Sequence, residues 1–213
     1  MGFGLLNPLM SALRFVLFLV LVNTASANEG KTDFTILVLG DSLSAGYGLN
    51  QGDGFPEQLS SKINEKKNNI KIINAGVSGD TTQGGLARLN WALVDNPDMV
   101  IVELGANDGL RGLDPQLMEQ NLDQMITQLK KRQIKVLLAG MLAPPNYGDV
   151  YAQEFNSVYP RLAQKHDVTL YPFFLEGVAG DPKLNLPDGI HPTKEGIAII
   201  VERILPYVEK VMR

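Results

Sequence analysis

Cysteine is missing altogether from the 213 residues. Its absence excludes disulfides, thiolate zinc sites, a cysteine nucleophile and a lipid-anchoring N-terminal cysteine. Histidine is nearly as scarce, with only His166 and His191, too few for a histidine-rich metal centre. No basic block exceeds Lys130-Lys131-Arg132, and 19 Lys+Arg against 23 Asp+Glu leave a net charge of −4. A nucleic-acid binder would present a basic stripe, so no nucleic-acid partner is expected. Aromatics reach only 7%, with Trp91 the single tryptophan, which leaves little platform for stacking on sugars. What is there, 45% apolar and 20% charged residues, is the balance of an ordinary globular protein, and the length suits one domain.

The first 27 residues differ from the rest. Arg14 is their only charged side chain, Phe15 to Val22 is an unbroken apolar run, and Ala25-Ser26-Ala27 follows with small residues. That is the order of a secretory signal peptide, with cleavage expected after Ala27 and a mature domain over 28–213 in the periplasm or outside the cell. The run is far shorter than the roughly 20 residues a bilayer span needs, so no membrane span is expected after cleavage. An uncleaved N-terminal anchor is the alternative, because Leu5 to Leu13 is also fairly apolar.

From Asp33 onward, short apolar runs alternate with longer amphipathic ones. Phe34–Leu39, Ile70–Ile73, Met99–Leu104, Ile134–Ala139 and, more weakly, Val168–Tyr171 read as about five strands. Strands apolar nearly throughout belong to a parallel sheet covered on both faces. Helical patterns fill the gaps at Phe55 to Lys66, after Asp114-Pro115 (Met118, Leu122, Met125, Leu129), at Tyr151 to Gln164 and at Thr193 to Val211. The expected fold is α/β, a three-layer α/β/α sandwich of the flavodoxin-like kind, in one domain. Ligands in such folds bind outside the carboxyl ends of the strands.

Unusual sequence sits at those ends. Gly40-Asp41-Ser42 follows the first strand, which holds the Ser42 hydroxyl at the open end of the sheet. Ser42 as a helix N-cap, or a phosphate cradle over 40–46, would explain the same residues. Asn74 to Thr82 follows the second strand, and its glycines let backbone approach a ligand, while Asp80 or Thr81 can cap the next helix. Gly105-Ala106-Asn107-Asp108 follows the third, where Asn107 either offers side-chain N–H donors or holds a turn. Leu186 to Pro192 places Asp188 three residues before His191; Asp188 on Nδ1 would leave Nε2 outward, as a general base requires. His166, in a lysine-rich helical stretch, is given no role. Together these segments hold a hydroxyl, oxyanion donors and an oriented base, the parts for acyl transfer.

GDS at 40–42, SGD at 78–80, GAND at 105–108 and DGIH at 188–191 resemble the four signature blocks of the SGNH (GDSL) hydrolases. LGDSLSAGYG, NAGVSGDTT, GGLARL, VELGANDGLRG, PPNYG and PDGIHP are similar to the thioesterase, lysophospholipase and arylesterase enzymes of the bacterial periplasm. Where those commonly carry two aspartates before the loop glycine, this chain has Pro187-Asp188. The resemblance implies Ser42 as nucleophile, Asp188 and His191 as its partners, and an oxyanion hole from Ser42 N–H, Gly79 N–H and the Asn107 side chain. It implies a small acyl ester or thioester as substrate, no cofactor and no metal; a monomer is expected. Gly76 falls outside the matching block. Leu110 and the loop residues Met141, Leu142, Ala143 and Pro144 follow strands at the same end, so they are expected to line an acyl groove, or else to be core-edge packing. A carbohydrate O-deacetylase and a non-enzymatic flavodoxin-like binding module are the competing readings.

Overall fold

A computed structural model describes residues 1–2, 34–66 and 69–213. The signal sequence and cleavage point expected near Ala27 lie outside the described residues. No helix among those described is long and apolar enough to cross a membrane.

Five strands form one sheet: β1 (Phe34–Gly40), β2 (Ile70–Gly76), β3 (Met99–Glu103), β4 (Lys135–Ala139) and β5 (Thr169–Tyr171). Their order is β2-β1-β3-β4-β5 and every neighbouring pair is parallel, the flavodoxin-like arrangement expected. Among the described residues seven α-helices accompany them: α1 (Ser42–Ala45), α2 (Phe55–Asn64), α3 (Thr82–Ala92), α4 (Ala106–Leu110), α5 (Pro115–Lys131), α6 (Asp149–His166) and α7 (Lys194–Met212). α2 and α7 pack together on one side of the sheet, while α5 packs against α3 and α6 on the other.

The central strands explain why the sheet is covered twice. Ile36 to Leu39 and Met99 to Val102 are apolar at every position and buried throughout, so both faces leave water together. β2 and β5 are edge strands and only partly buried, and exposed Lys71 interrupts the isoleucines of β2. β2 also extends three residues past Ile73, because Asn74, Ala75 and Gly76 keep their register with Val38, Leu39 and Gly40 after the apolar run ends. Backbone pairing, not hydropathy, sets that boundary. α6 is likewise longer than Tyr151 to Gln164 at both ends.

Capping places the helices. Asp114 accepts from Gln116 N–H at 2.8 Å and Pro115 takes the first turn of α5, where a missing N–H is harmless. Thr193 accepts from Gly196 N–H to open α7, immediately after the DGIHP loop.

Candidate active site

The turn after β1 is held from both sides. Asp41 accepts from Leu43 N–H at 3.0 Å, so the aspartate, and not Ser42, is the N-cap of α1. That correction leaves the Ser42 hydroxyl free for other work. Across the turn, Gly76 lies so close to α1 that a Cβ there would collide with the backbone of Ala45. Only glycine permits β2 to press its last residue against the serine-bearing helix.

The late loop is shaped by one carboxylate. Asp188 Oδ1 accepts from the backbone N–H groups of Ile190 and His191, both at 3.0 Å, and Oδ2 lies 2.8 Å from His191 Nδ1. These donors, Ile190 N–H first and the imidazole next, hold the Asp188 carboxyl down at about 2. With Asp188 ionised, Nδ1 carries the proton and Nε2 is the acceptor. Nε2 stands 2.9 Å from Ser42 Oγ, across 149 positions of sequence. The Tyr47 ring packs against the imidazole at 4.4 Å between centroids and limits its rotation. Asn185 anchors the loop through Val178 and Asp181 carbonyls, and Leu186 N–H returns to His191 C=O at 2.7 Å.

The donors predicted for an oxyanion are arranged differently from one another. Asn107 lies in α4 beyond Gly105 and lines the same cleft as Ser42 and His191. One of its amide N–H groups goes to Asp41 Oδ2 at 3.0 Å. Gly79 has φ +83°, a left-handed conformation that favours glycine, and does not itself line the cleft. Its turn is fixed nonetheless: Val77 N–H donates to Gly40 C=O, Arg111 donates to Gly79 C=O at 2.8 Å, and Arg88 bridges Asp80 (2.6 Å) to Gly40 C=O (2.9 Å). Among the described residues, the Ser42 and Gly79 backbone N–H groups donate to no other protein atom.

Leu110, Met141, Leu142, Ala143 and Pro144 all line a cleft of about 270 Å³ that opens beside Ser42. Met141 is buried, whereas Leu110 and Leu142 stand half-exposed at its mouth. Asn156 holds the loop by accepting from Ala143 N–H at 2.8 Å. Among the described residues no cluster of three His, Asp or Glu side chains is placed to hold a metal.

Sequence reasoning passed over the residues behind the serine. Asp41 and Glu103 are fully buried, Ser44 bonds Glu103 at 2.6 Å, and buried Asp108 receives both the N–H and the hydroxyl of Thr82, which also accepts from Asn121. A signal existed: Glu103 ends an otherwise apolar strand, where a charge is out of place.

The family model for the GDSL-like Lipase/Acylhydrolase family matches residues 38–199. Among curated proteins, an arylesterase of Vibrio mimicus is 42% identical over 199 residues, 93% of this chain and 97% of its own. The thioesterase 1/protease 1/lysophospholipase L1 of Escherichia coli (strain K12) is 43% identical over 187 residues, 87% and 86% of the two chains. A crystal structure of the psychrotrophic esterase EstA from Pseudoalteromonas sp., inhibited by monoethylphosphonate, superposes with a TM-score of 0.79 at 36% identity, covering 84% of this chain and 98% of that one. The chain belongs to the GDSL-like lipase/acylhydrolase family. By class it is a hydrolase of ester bonds.

Proposed function

We propose that this protein hydrolyses carboxylic esters and thioesters through an acyl intermediate on Ser42. The observation that carries the reading is the continuous chain Asp188–His191–Ser42, at 2.8 and 2.9 Å. Neutral His191 takes the Ser42 proton on Nε2 as Oγ attacks the carbonyl carbon. The oxyanion receives hydrogen bonds from Ser42 N–H, Gly79 N–H and the Asn107 amide. Its collapse breaks the C–O or C–S bond, and Nε2 returns the proton to the departing alcohol or thiol. Water then attacks the acyl ester with His191 again as base, regenerating Ser42 and releasing the acid. Asp188 stays ionised and holds the imidazole in the tautomer both steps need. Nucleophile, base and electrophilic donors all come from the chain, so the cycle calls for neither metal nor cofactor.

The apolar cleft formed by Leu110 and Met141 to Pro144 favours acyl chains, such as those of acyl thioesters, lysophospholipids and aryl or medium-chain esters, over acetylated sugars. The N-terminal segment over 1–27 is read as a signal peptide that sends a monomeric enzyme to the periplasm or beyond the cell. A fluorophosphonate probe should label Ser42 in the folded protein, and a medium-chain acyl ester should be cleaved faster than acetyl-xylan. Folded protein that resists the probe would argue for a binding module, and a preference for acetyl-xylan for a deacetylase.

A further inference from the structure

Two carboxyl groups are buried directly behind Ser42, and the hydrolytic cycle uses neither. Asp41 ends the β1 turn and Glu103 ends β3, where the register pairs Gly40 with Glu103. Gly40 makes room for this arrangement, since a Cβ there would collide with both Ser44 Oγ and Glu103 Oε2. Charged side chains are almost never fully buried without partners, so the pair calls for an explanation beyond packing.

Their hydrogen bonds divide the labour. Glu103 Oε2 accepts from the Ser44 hydroxyl at 2.6 Å and from Asp41 N–H at 3.4 Å, while Oε1 has no partner among the described residues. Both side-chain oxygens of Asp41 accept hydrogen bonds: Leu43 N–H on Oδ1 and the Asn107 amide on Oδ2, both at 3.0 Å. Burial pushes the Glu103 carboxyl well above its usual range, and the negative charge of Asp41 pushes it further. Burial raises Asp41 only to about 6, because Leu43 N–H, the Asn107 amide and the facing His191 favour its charged form, against Asp80. The direction of both shifts favours the proton on Glu103 and the negative charge on Asp41, whose two oxygens both meet donors.

We infer that Asp41 is a positioning residue for the hydrolysis, its carboxylate dictating which end of the Asn107 amide faces the reacting carbonyl. A primary amide has two nearly isosteric ends, an acceptor oxygen and a donor nitrogen. Left alone, Asn107 can present either one to the cleft. A carboxylate only accepts, so Asp41 selects the nitrogen by binding one of its N–H groups. The second N–H on the same nitrogen remains for the oxyanion, and the amide oxygen, which would repel it, is turned away. The inference rests on the reading of Asn107 as an oxyanion donor.

The test is a double-mutant cycle on a medium-chain acyl ester, with kcat and KM measured for Asp41→Asn, Asn107→Ala and the double variant. Asp41→Asn keeps the shape of the side chain but cannot accept on both oxygens, so the amide loses its bias. The expected result is a fall in kcat of roughly 10- to 100-fold with KM changed less than about threefold. The double variant should be no slower than Asn107→Ala alone, because the two residues act through one hydrogen bond. Multiplying losses, or Asp41→Asn at the parent rate, would overturn the inference. If Asp41→Asn fails to fold, Asp41→Ser takes its place in the cycle, since a serine at this position keeps the cap on Leu43 N–H. Parent-like turnover in Asn107→Ala would instead sink the oxyanion reading itself, so the two failures are told apart.

Discussion

His166 and His191 are matched in nearly every local measure. Their side chains are 12% and 14% exposed, and each bonds an aspartate, Asp123 at 2.6 Å and Asp188 at 2.8 Å. They differ in which nitrogen the carboxylate takes. Asp188 holds Nδ1, and Nε2 is left to meet Ser42. Asp123 holds Nε2, the outer nitrogen, and shares itself with Lys165 at 2.7 Å. His166 also sits in the last turn of α6, where positive charge suits the helix end, and it ties α6 to α5. The same residue pair is thus a clasp between helices in one place and, on the proposed mechanism, a base with its orienter in the other. A histidine–aspartate contact does not mark a site; the group on the remaining nitrogen does.

The sharpest way to break the comparison is to remove each ring. His191→Ala should cost several orders of magnitude in kcat, on the order of 10⁴ or more, with the fold intact. His166→Ala should leave kcat unchanged and lower stability by about 1 kcal/mol, a few degrees in Tm. Parallel ester assays and thermal melts read both, and equal kinetic losses would erase the distinction. The aspartates sharpen it further. Asp188→Asn should lower kcat by roughly 10⁴, because an amide favours the wrong tautomer, while Asp123→Asn should be kinetically silent.

Third in size is the proposed oxyanion donor: Asn107→Ala is expected to lose about 10²–10³ in kcat while the melting curve stays close to that of the parent. Smaller again is the effect at the cleft mouth. Leu110→Ala should lower kcat/KM for a medium-chain ester about tenfold relative to an acetyl ester, a discrimination of the 1–3 kcal/mol order that apolar pockets give. The smallest is a pH effect on stability. Asp188, held at about 2 against its ordinary 3.8, stabilises the fold above pH 4 and loses that contribution as pH falls through 2. The Tm difference between the parent and Asp188→Asn should therefore be present at pH 5 and vanish in strong acid. A difference that vanished already between pH 4 and 5 would contradict the hydrogen-bonded loop.

Most of the scaffold was legible because its signals are local. Apolar runs announced β1, β3 and β4, Asp114-Pro115 announced α5, and the order of the blocks announced which loops share one end of the sheet. The His191–Ser42 contact was inferred from chemistry and is found at 2.9 Å. What stayed hidden depends on neighbours distant in sequence. β2 outruns its hydropathy because β1 goes on pairing with it. Gly76, read as a loop glycine, proves to be a strand end that α1 presses against. Ser42 as an N-cap was one reading of this turn, but α1 begins at Ser42 itself and Asp41 before it caps. The Asp41–Glu103 pair emerges only when two strands are laid side by side.

Ser42 stands just after β1 and His191 just before α7, so four of the five strands separate in sequence the two groups of the proposed mechanism. A ribosome still holding the last few dozen residues therefore holds back the imidazole as well. On the proposed mechanism, a chain in which His191 has not yet reached Ser42 owns a serine that is only an ordinary alcohol. On that mechanism competence arrives only with the loop from Leu186 to Pro192, so turnover certifies that the chain has folded as far as that loop.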